Sequence, residues 1–176
     1  NVTAPTFHLE DVFGRQVNLE AYRGKKVFIG FFRHAGCPFC NLRVHTLMKQ
    51  TEVFKSKGLE MIFFFESDAR LIVNSSFLSE VAPIPIISDP KKEWYAAYGL
   101  EDSFAKAGLG VLTRFIKTSI KASQENVPNH FMKSGESFGT MPGEFLLDEN
   151  LIIRELHYSQ HLTDRLSMEA IHAFIG

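Results

Sequence analysis

Two segments of this chain have almost no polar face. Lys25-Lys26-Val27-Phe28-Ile29-Gly30-Phe31-Phe32 is apolar at odd and even positions alike once past its lysines, and Leu59-Glu60-Met61-Ile62-Phe63-Phe64-Phe65 repeats the pattern. A strand with one wet face alternates apolar and polar side chains, so runs apolar on both faces predict strands inside a sheet that is covered on both sides. The chain has 176 residues and 45% apolar residues, enough for one compact domain with a core of its own. Much of that core must be aromatic, because 17 residues are Phe.

The intervening segments read as helices. Asn41 to Lys57 carries Val44, Leu47, Met48, Thr51 and Phe54 at helical spacing, and Gly58 fits the residue just past a helix end. Asp68 suits the cap of a helix to about Glu80; Val81 to Ile87 predicts a short strand that ends at the Ser88-Asp89-Pro90 turn, its prolines at the start. A helix over Lys91 to Tyr98 stops at Gly99, and Trp94, Tyr95 and Tyr98 on it are expected to pack in the core. Near the start, two short alternating runs around Gly14 predict a hairpin. Late strands are expected at Glu144 to Leu147 and Leu151 to Tyr158, antiparallel across Asp148-Glu149-Asn150, before a closing helix from Ser167 to Ile175. Residues 103–139 break the rhythm and read as a helical insertion within a single domain of residues 1–176. The class is therefore α/β, a central mixed sheet with helices on both faces.

The only two cysteines, Cys37 and Cys40, stand in Gly36-Cys37-Pro38-Phe39-Cys40 at the junction of the first buried strand and the helix after it. At a helix N-terminus the unpaired N–H groups and the dipole favour a thiolate, and a second cysteine one turn on can resolve a mixed disulfide. Pro38 suits the first helical position, where a missing N–H is not felt. Arg33, His34 and Arg43 are near enough in sequence to add positive potential. A zinc site needs four ligands and finds no second C-x-x-C or C-x-x-H; two inert core cysteines are the other alternative to redox chemistry.

Ala4-Pro5-x-Phe7-x-Leu9, Gly14-x-x-Val17-x-Leu19, Gly24-Lys25-Lys26-Val27-Phe28-Ile29, Ser88-Asp89-Pro90 with Tyr98-Gly99, and Pro142-Gly143-x-Phe145-Leu146-Leu147-Asp148 follow one another in order. Together they resemble the peroxiredoxin-like (alkyl hydroperoxide reductase/thiol-specific antioxidant) branch of the thioredoxin fold, over nearly the whole chain except about residues 103–139. The resemblance implies a thioredoxin-like fold whose active cysteine opens the helix after the Val27 to Phe32 strand. The peroxidatic loop of that family reads Pro-x-x-x-Thr-x-x-Cys, and neither register reproduces it: with Cys40 as the peroxidatic residue the Thr and Pro positions hold Cys37 and Arg33, and with Cys37 they hold His34 and Gly30. The family's late-strand Arg is replaced by Pro142. Thioredoxins and glutaredoxins carry a cis-proline there, so the resemblance implies a cis Met141–Pro142 bond, with the backbone of Met141 presented to an extended substrate.

These readings predict a thiol–disulfide oxidoreductase in which Cys37 and Cys40 are catalytic and Arg33, His34, Pro38, Met141 and Pro142 tune the thiols or position substrate. Hydroperoxide reduction through the same Cys37–Cys40 disulfide is the alternative, and a redox-inactive binding module the third possibility. Expected partners are a thiol, disulfide or peroxide substrate and an external thiol reductant, with no cofactor and no metal. The closely spaced His157 and His161 lack carboxylates at matching offsets and read as ordinary histidines. Gly108-Leu109-Gly110 is not a phosphate loop. Lys and Arg number 19 against 20 Asp and Glu, without the basic excess of a nucleic-acid binder. The longest apolar run, Met61 to Phe65, is far short of the roughly 20 residues that span a bilayer. Asn1 to Glu10 has no signal-peptide pattern, so the expected compartment is the cytoplasm. The 103–139 insertion reads as a satellite helix and a solvated loop; the alternative, motivated by Phe104, Phe115 and Phe131 with little local core to bury them, is a cover over the cysteines or a homodimer contact.

Overall fold

The structure, a computed structural model, describes residues 2–75, 83–100 and 140–176. The insertion at 103–139, and the expectations attached to it, lie outside the described residues.

The first buried run forms β4 (Lys26–Phe31) and the second β5 (Leu59–Phe65), paired in parallel from Lys26 opposite Leu59 to Phe31 opposite Phe64. Before them come β1 (Val2–Thr3) and the hairpin β2 (His8–Glu10) and β3 (Gln16–Asn18), where Gly14 supplies a φ of 84° that a side chain would resist. A short 3-10 turn at Leu19–Tyr22 follows the hairpin. β6 (Ile86–Ser88) joins β5 in parallel, while β7 (Gly143–Leu147) runs antiparallel to β4, and β8 (Ile152–Tyr158) antiparallel to β7. The resulting six-stranded mixed sheet has the order β1-β8-β7-β4-β5-β6.

Period-two alternation divides the core between the two faces. Val27, Ile29, Phe31, Ile62, Phe64, Phe145 and Leu147 pack with the hairpin residues Phe7 and Val17 and with Tyr95 and Tyr98. Phe28, Phe32, Phe63, Phe65 and Leu146 pack on the opposite face, under the helix that carries the cysteines. Phe31 stacks on Phe64 at 4.5 Å between ring centroids, and Phe145 and Tyr95 meet its edges. β4, β5 and β7 are thus buried on both faces, as the composition of the first two requires.

The helices depart from expectation in length. The segment after the cysteines is two helices, α1 (Pro38–Met48) and α2 (Thr51–Ser56). Thr51 Oγ1 donates to Met48 O at 2.8 Å, and Gln50 leaves helical geometry at ψ 0°, so the apolar stripe continues across a break. Val44, Leu47 and Phe54 of that stripe are buried, and Gly58 takes φ 78° after the second helix. Asp68 does cap a helix by accepting from Arg70 N, but α3 (Ala69–Val73) ends at Asn74 rather than near Glu80. The strand expected from Val81 is shorter: Pro83, Ile84 and Pro85 precede its start at Ile86, consistent with prolines that cannot donate to a ladder. α4 (Glu93–Ala97) packs Tyr95 against Phe31, and α5 (Met168–Ile175) starts at Ser167, whose side chain accepts from Ala170 N.

Candidate active site

The loop between β4 and α1 is fastened at several points. Phe32 N donates to Phe64 O at 2.8 Å and Glu66 N to Arg33 O at 3.1 Å, which extends the β4–β5 pairing past the strand ends. Ala35 N donates to Ser67 Oγ, and Asn41 Nδ2 returns from the helix to Ala35 O, at 2.8 and 2.7 Å. Cys37 is then the N-cap of α1, with Pro38 in the first turn and the Cys37 carbonyl accepting from Asn41 N at 3.0 Å. Both cysteines are reduced and fully enclosed.

Arg33 reaches both sulfurs. Its Nη1 donates to Cys37 Sγ at 3.4 Å, and its backbone N donates to Cys40 Sγ at 3.2 Å. The guanidinium is oriented by Nε donating to Thr140 O at 3.1 Å, and Thr140 Oγ1 donates to the buried carboxylate of Glu66 at 2.6 Å. Lys92 stands 3.5 Å from the same carboxylate. A charged chain therefore runs from Lys92 through Glu66 and Thr140 to Arg33 and the first thiol.

Those contacts make the two thiols unlike. Burial alone would push Cys37 up, but a hydrogen bond donated by the Cys40 thiol and the charges of Arg33 and His34 outweigh it, leaving Cys37 well below the ordinary cysteine range. Cys40 is pushed well above that range by burial and by the negative charge it faces on Cys37. Burial opposes the charge on Arg33, yet the neighbouring sulfurs hold it more firmly protonated than usual. The first cysteine is the more acidic thiol and the second the less acidic, the division of labour that nucleophile and resolving thiol require.

Of the residues singled out in the sequence, Arg33, His34 and Pro38 come together around Cys37, and Met141 packs in the same core as both cysteines. Pro142 is buried at the entry to β7, and its carbonyl accepts from Ser159 N at 3.0 Å. The expected cis bond is not found: the described residues contain no cis peptide, so Met141–Pro142 is trans. The trans form is the lower-energy default, and Pro142 simply leads the chain into a strand. Arg43 also departs from expectation. It turns away from the thiols and pairs through Nε and Nη2 with both oxygens of Glu144, at 2.7 and 2.8 Å. His157 is engaged by Asp164 at 2.8 Å, and His161 by Thr163 at 3.1 Å.

Glu66, Thr140, Glu144 and Arg165 escaped the sequence reading. Glu66 left one usable signal, a carboxylate directly after an all-apolar strand. Thr140 and Glu144 left none, since their partners are distant in the chain.

A dithiol of unequal acidity at the first turn of a helix, set on the interior strand of a mixed sheet, defines a thiol-dependent oxidoreductase. The AhpC/TSA family model matches residues 1–156, and the chain belongs to that family. It is similar to the thiol-disulfide oxidoreductase ResA of Bacillus subtilis, 25% identical over 139 residues, which covers 77% of each chain. A Mycobacterium tuberculosis protein provisionally named a peroxiredoxin is 27% identical over 112 residues, 62% of this chain and 71% of that one. Among solved structures, Xanthomonas campestris peroxiredoxin Q superposes with a TM-score of 0.65 at 14% identity, covering 96% of this chain and 89% of that one, which establishes the shared thioredoxin fold. The chain is a peroxiredoxin-like thiol oxidoreductase.

Proposed function

We propose that this enzyme exchanges its dithiol with disulfides, Cys37 attacking and Cys40 resolving. Cys37 thiolate attacks one sulfur of a substrate disulfide, and the other substrate sulfur leaves as a thiolate. Cys40, on losing its proton, attacks Cys37 Sγ; the second substrate thiolate leaves and the Cys37–Cys40 disulfide remains. Two electrons pass from the dithiol to the substrate, and an external thiol reductant restores the protein. The observation that carries this reading is the double contact of Arg33, guanidinium on Cys37 and backbone N–H on Cys40. The resemblance adds to it, since Pro142 stands where the family's peroxidases carry an arginine that binds the peroxide.

One observation favours peroxide as the first substrate: both sulfurs are fully enclosed, which suits a very small oxidant. In that case Cys37 takes the terminal oxygen to become a sulfenic acid, water or an alcohol leaves, and Cys40 condenses with it to the same disulfide with release of water. Rapid mixing of reduced protein with hydrogen peroxide and, separately, with hydroxyethyl disulfide distinguishes the two. Disulfide exchange faster than peroxide oxidation, lost in Cys37→Ser and arrested at a mixed disulfide in Cys40→Ser, is expected. Faster oxidation by peroxide, abolished by a single Cys→Ser change, would overturn the ranking.

A further inference from the structure

The peptide unit between Phe32 and Arg33 is engaged at both ends. Its N–H, on Arg33, donates to Cys40 Sγ at 3.2 Å, and its carbonyl, on Phe32, accepts from the Tyr95 hydroxyl at 2.6 Å. The two ends of one amide share a plane and point in opposite directions, so whatever fixes the carbonyl also aims the N–H. Tyr95, Phe32 and Cys40 are all buried. The sheet leaves this carbonyl to the phenol. Phe32 N donates to Phe64 O at 2.8 Å, and in a continued parallel ladder Glu66 N would return to Phe32 O. The pairing slips by one residue: Glu66 N donates to Arg33 O at 3.1 Å, and Tyr95 takes Phe32 O. The hydroxyl is placed by its own element. Asp89 caps α4 by accepting from Glu93 N and Trp94 N at 3.2 and 2.9 Å, Asp89 N donates to Phe65 O at 2.8 Å, and the Tyr95 ring meets that of Phe31 edge-on at 5.1 Å.

An N–H that meets sulfur is a weak donor to a thiol and a strong one to a thiolate, because the bond then becomes charge-assisted. A hydrogen bond accepted at the carbonyl end of the same amide polarises it and strengthens the donation at the N–H end. We propose that Tyr95 is a positioning residue for the second step: its hydroxyl holds and polarises the Phe32–Arg33 peptide, so that the N–H stabilises the negative charge on Cys40 Sγ as it attacks the Cys37 mixed disulfide. The inference rests on the order of attack given above.

The two halves of Arg33 are anchored separately. Its guanidinium, which donates to Cys37 Sγ, is held by Thr140 O, and Thr140 in turn by Glu66. Its backbone N–H, which donates to Cys40 Sγ, is aimed from α4 by Tyr95. Loss of the phenol therefore leaves the donor on Cys37 in place and acts on Cys40. Burial, then the charges of Glu66 and Asp89, hold the phenol un-ionised, so it stays a donor throughout the cycle. Cys40 is the less acidic thiol, and the scarcity of its thiolate limits the step. Its proton leaves for water or the departing substrate thiolate, its electron pair forms the S–S bond to Cys37 Sγ, and the second substrate sulfur leaves as a thiolate.

Rapid mixing of the reduced protein with dithiobis(nitrobenzoate) reads the steps separately, because each attack releases one coloured thiolate. The first phase reports Cys37 and the second reports Cys40; Cys40→Ser should show the first alone. Tyr95→Phe, which removes only the hydroxyl, is expected to slow the second phase about five-fold with the first unchanged, because a raised thiol pKa costs thiolate fraction and returns only about half of that, on a logarithmic scale, as nucleophilicity. In the same variant the Arg33 amide proton resonance should move upfield, the mark of a weaker N–H donation to sulfur that a general loosening of the core would not single out. A ring-fluorinated tyrosine at position 95, a stronger donor of nearly the same size, should speed the second phase, and it provides the comparison should the Phe variant not fold. An unchanged second phase, equal slowing of both phases, an unmoved Arg33 amide proton, or a fluorinated protein no faster than the native one would overturn the inference. A fast first phase persisting in Cys37→Ser would instead overturn the order of attack.

Discussion

Arg33 Nη1 lies 3.4 Å from Cys37 Sγ, and the same residue's backbone N lies 3.2 Å from Cys40 Sγ. One residue at the end of an interior strand therefore contacts both thiols, through a charge on the first and a neutral donor on the second. That asymmetry contributes to the unequal acidity of the pair, and it is open to direct measurement.

Arg33→Met removes the nearest full charge from Cys37, so the pH profile of Cys37 alkylation by iodoacetamide should move upward and the rate at neutral pH fall about ten-fold. Linkage gives the matching stability effect. Cys37 is an acid held below its unfolded range, so its thiolate adds stability that is fully present above about pH 8.5 and is lost as pH falls through the folded pKa. In Arg33→Met that loss should be smaller and complete at a higher pH in urea titrations. An unmoved alkylation profile would refute the assignment.

The largest favourable influence on Cys37 is the hydrogen bond from the Cys40 thiol. Cys40→Ala deletes the donor, whereas Cys40→Ser keeps an O–H in its place. The alkylation profile of Cys37 should shift upward in the Ala variant and by less in the Ser variant. Identical profiles in the two would show that Cys40 is not the donor.

Gly30 has no room for a side chain. A Cβ there would stand 2.8 Å from two atoms of the Phe32 ring and 3.1 Å from Phe28, and both rings are fully buried. Gly30→Ala should cost about 1–3 kcal/mol by overpacking, read as a lower urea midpoint with an unchanged m-value.

Glu144 is the sole carboxylate facing Arg43 and Arg165 among the described residues. Glu144→Gln leaves both guanidinium groups without it, and the loss should reach about 3–5 kcal/mol in chemical unfolding. A change of a few tenths would mean that the cluster is solvated.

Much of the architecture was legible because its signals are local. The two-faced apolar runs, the glycine after α2, the cap at Asp68, the closing helix near Ser167 and the Cys37–Cys40 spacing each act within a few residues. The single long helix failed for the same reason: an apolar stripe continues in phase across Lys49 and Gln50, and periodicity does not register a break in the hydrogen-bond ladder. The trans Met141–Pro142 bond corrects an expectation taken from resemblance rather than from any property of those two residues.

By itself the sequence determined that the chain has interior strands, that its two cysteines open a helix, and that a basic residue stands nearby. It did not determine which basic residue serves which thiol. Arg33 and Arg43 are equally plausible by distance along the chain, and only the pairing of β7 with β4, which sets Glu144 opposite Gly30 beneath α1, draws Arg43 away and leaves Arg33 with Cys37. The tertiary structure decided this because ion pairing depends on separation in space, and Arg43 and Glu144, 101 positions apart in the chain, share no periodic signal of that contact.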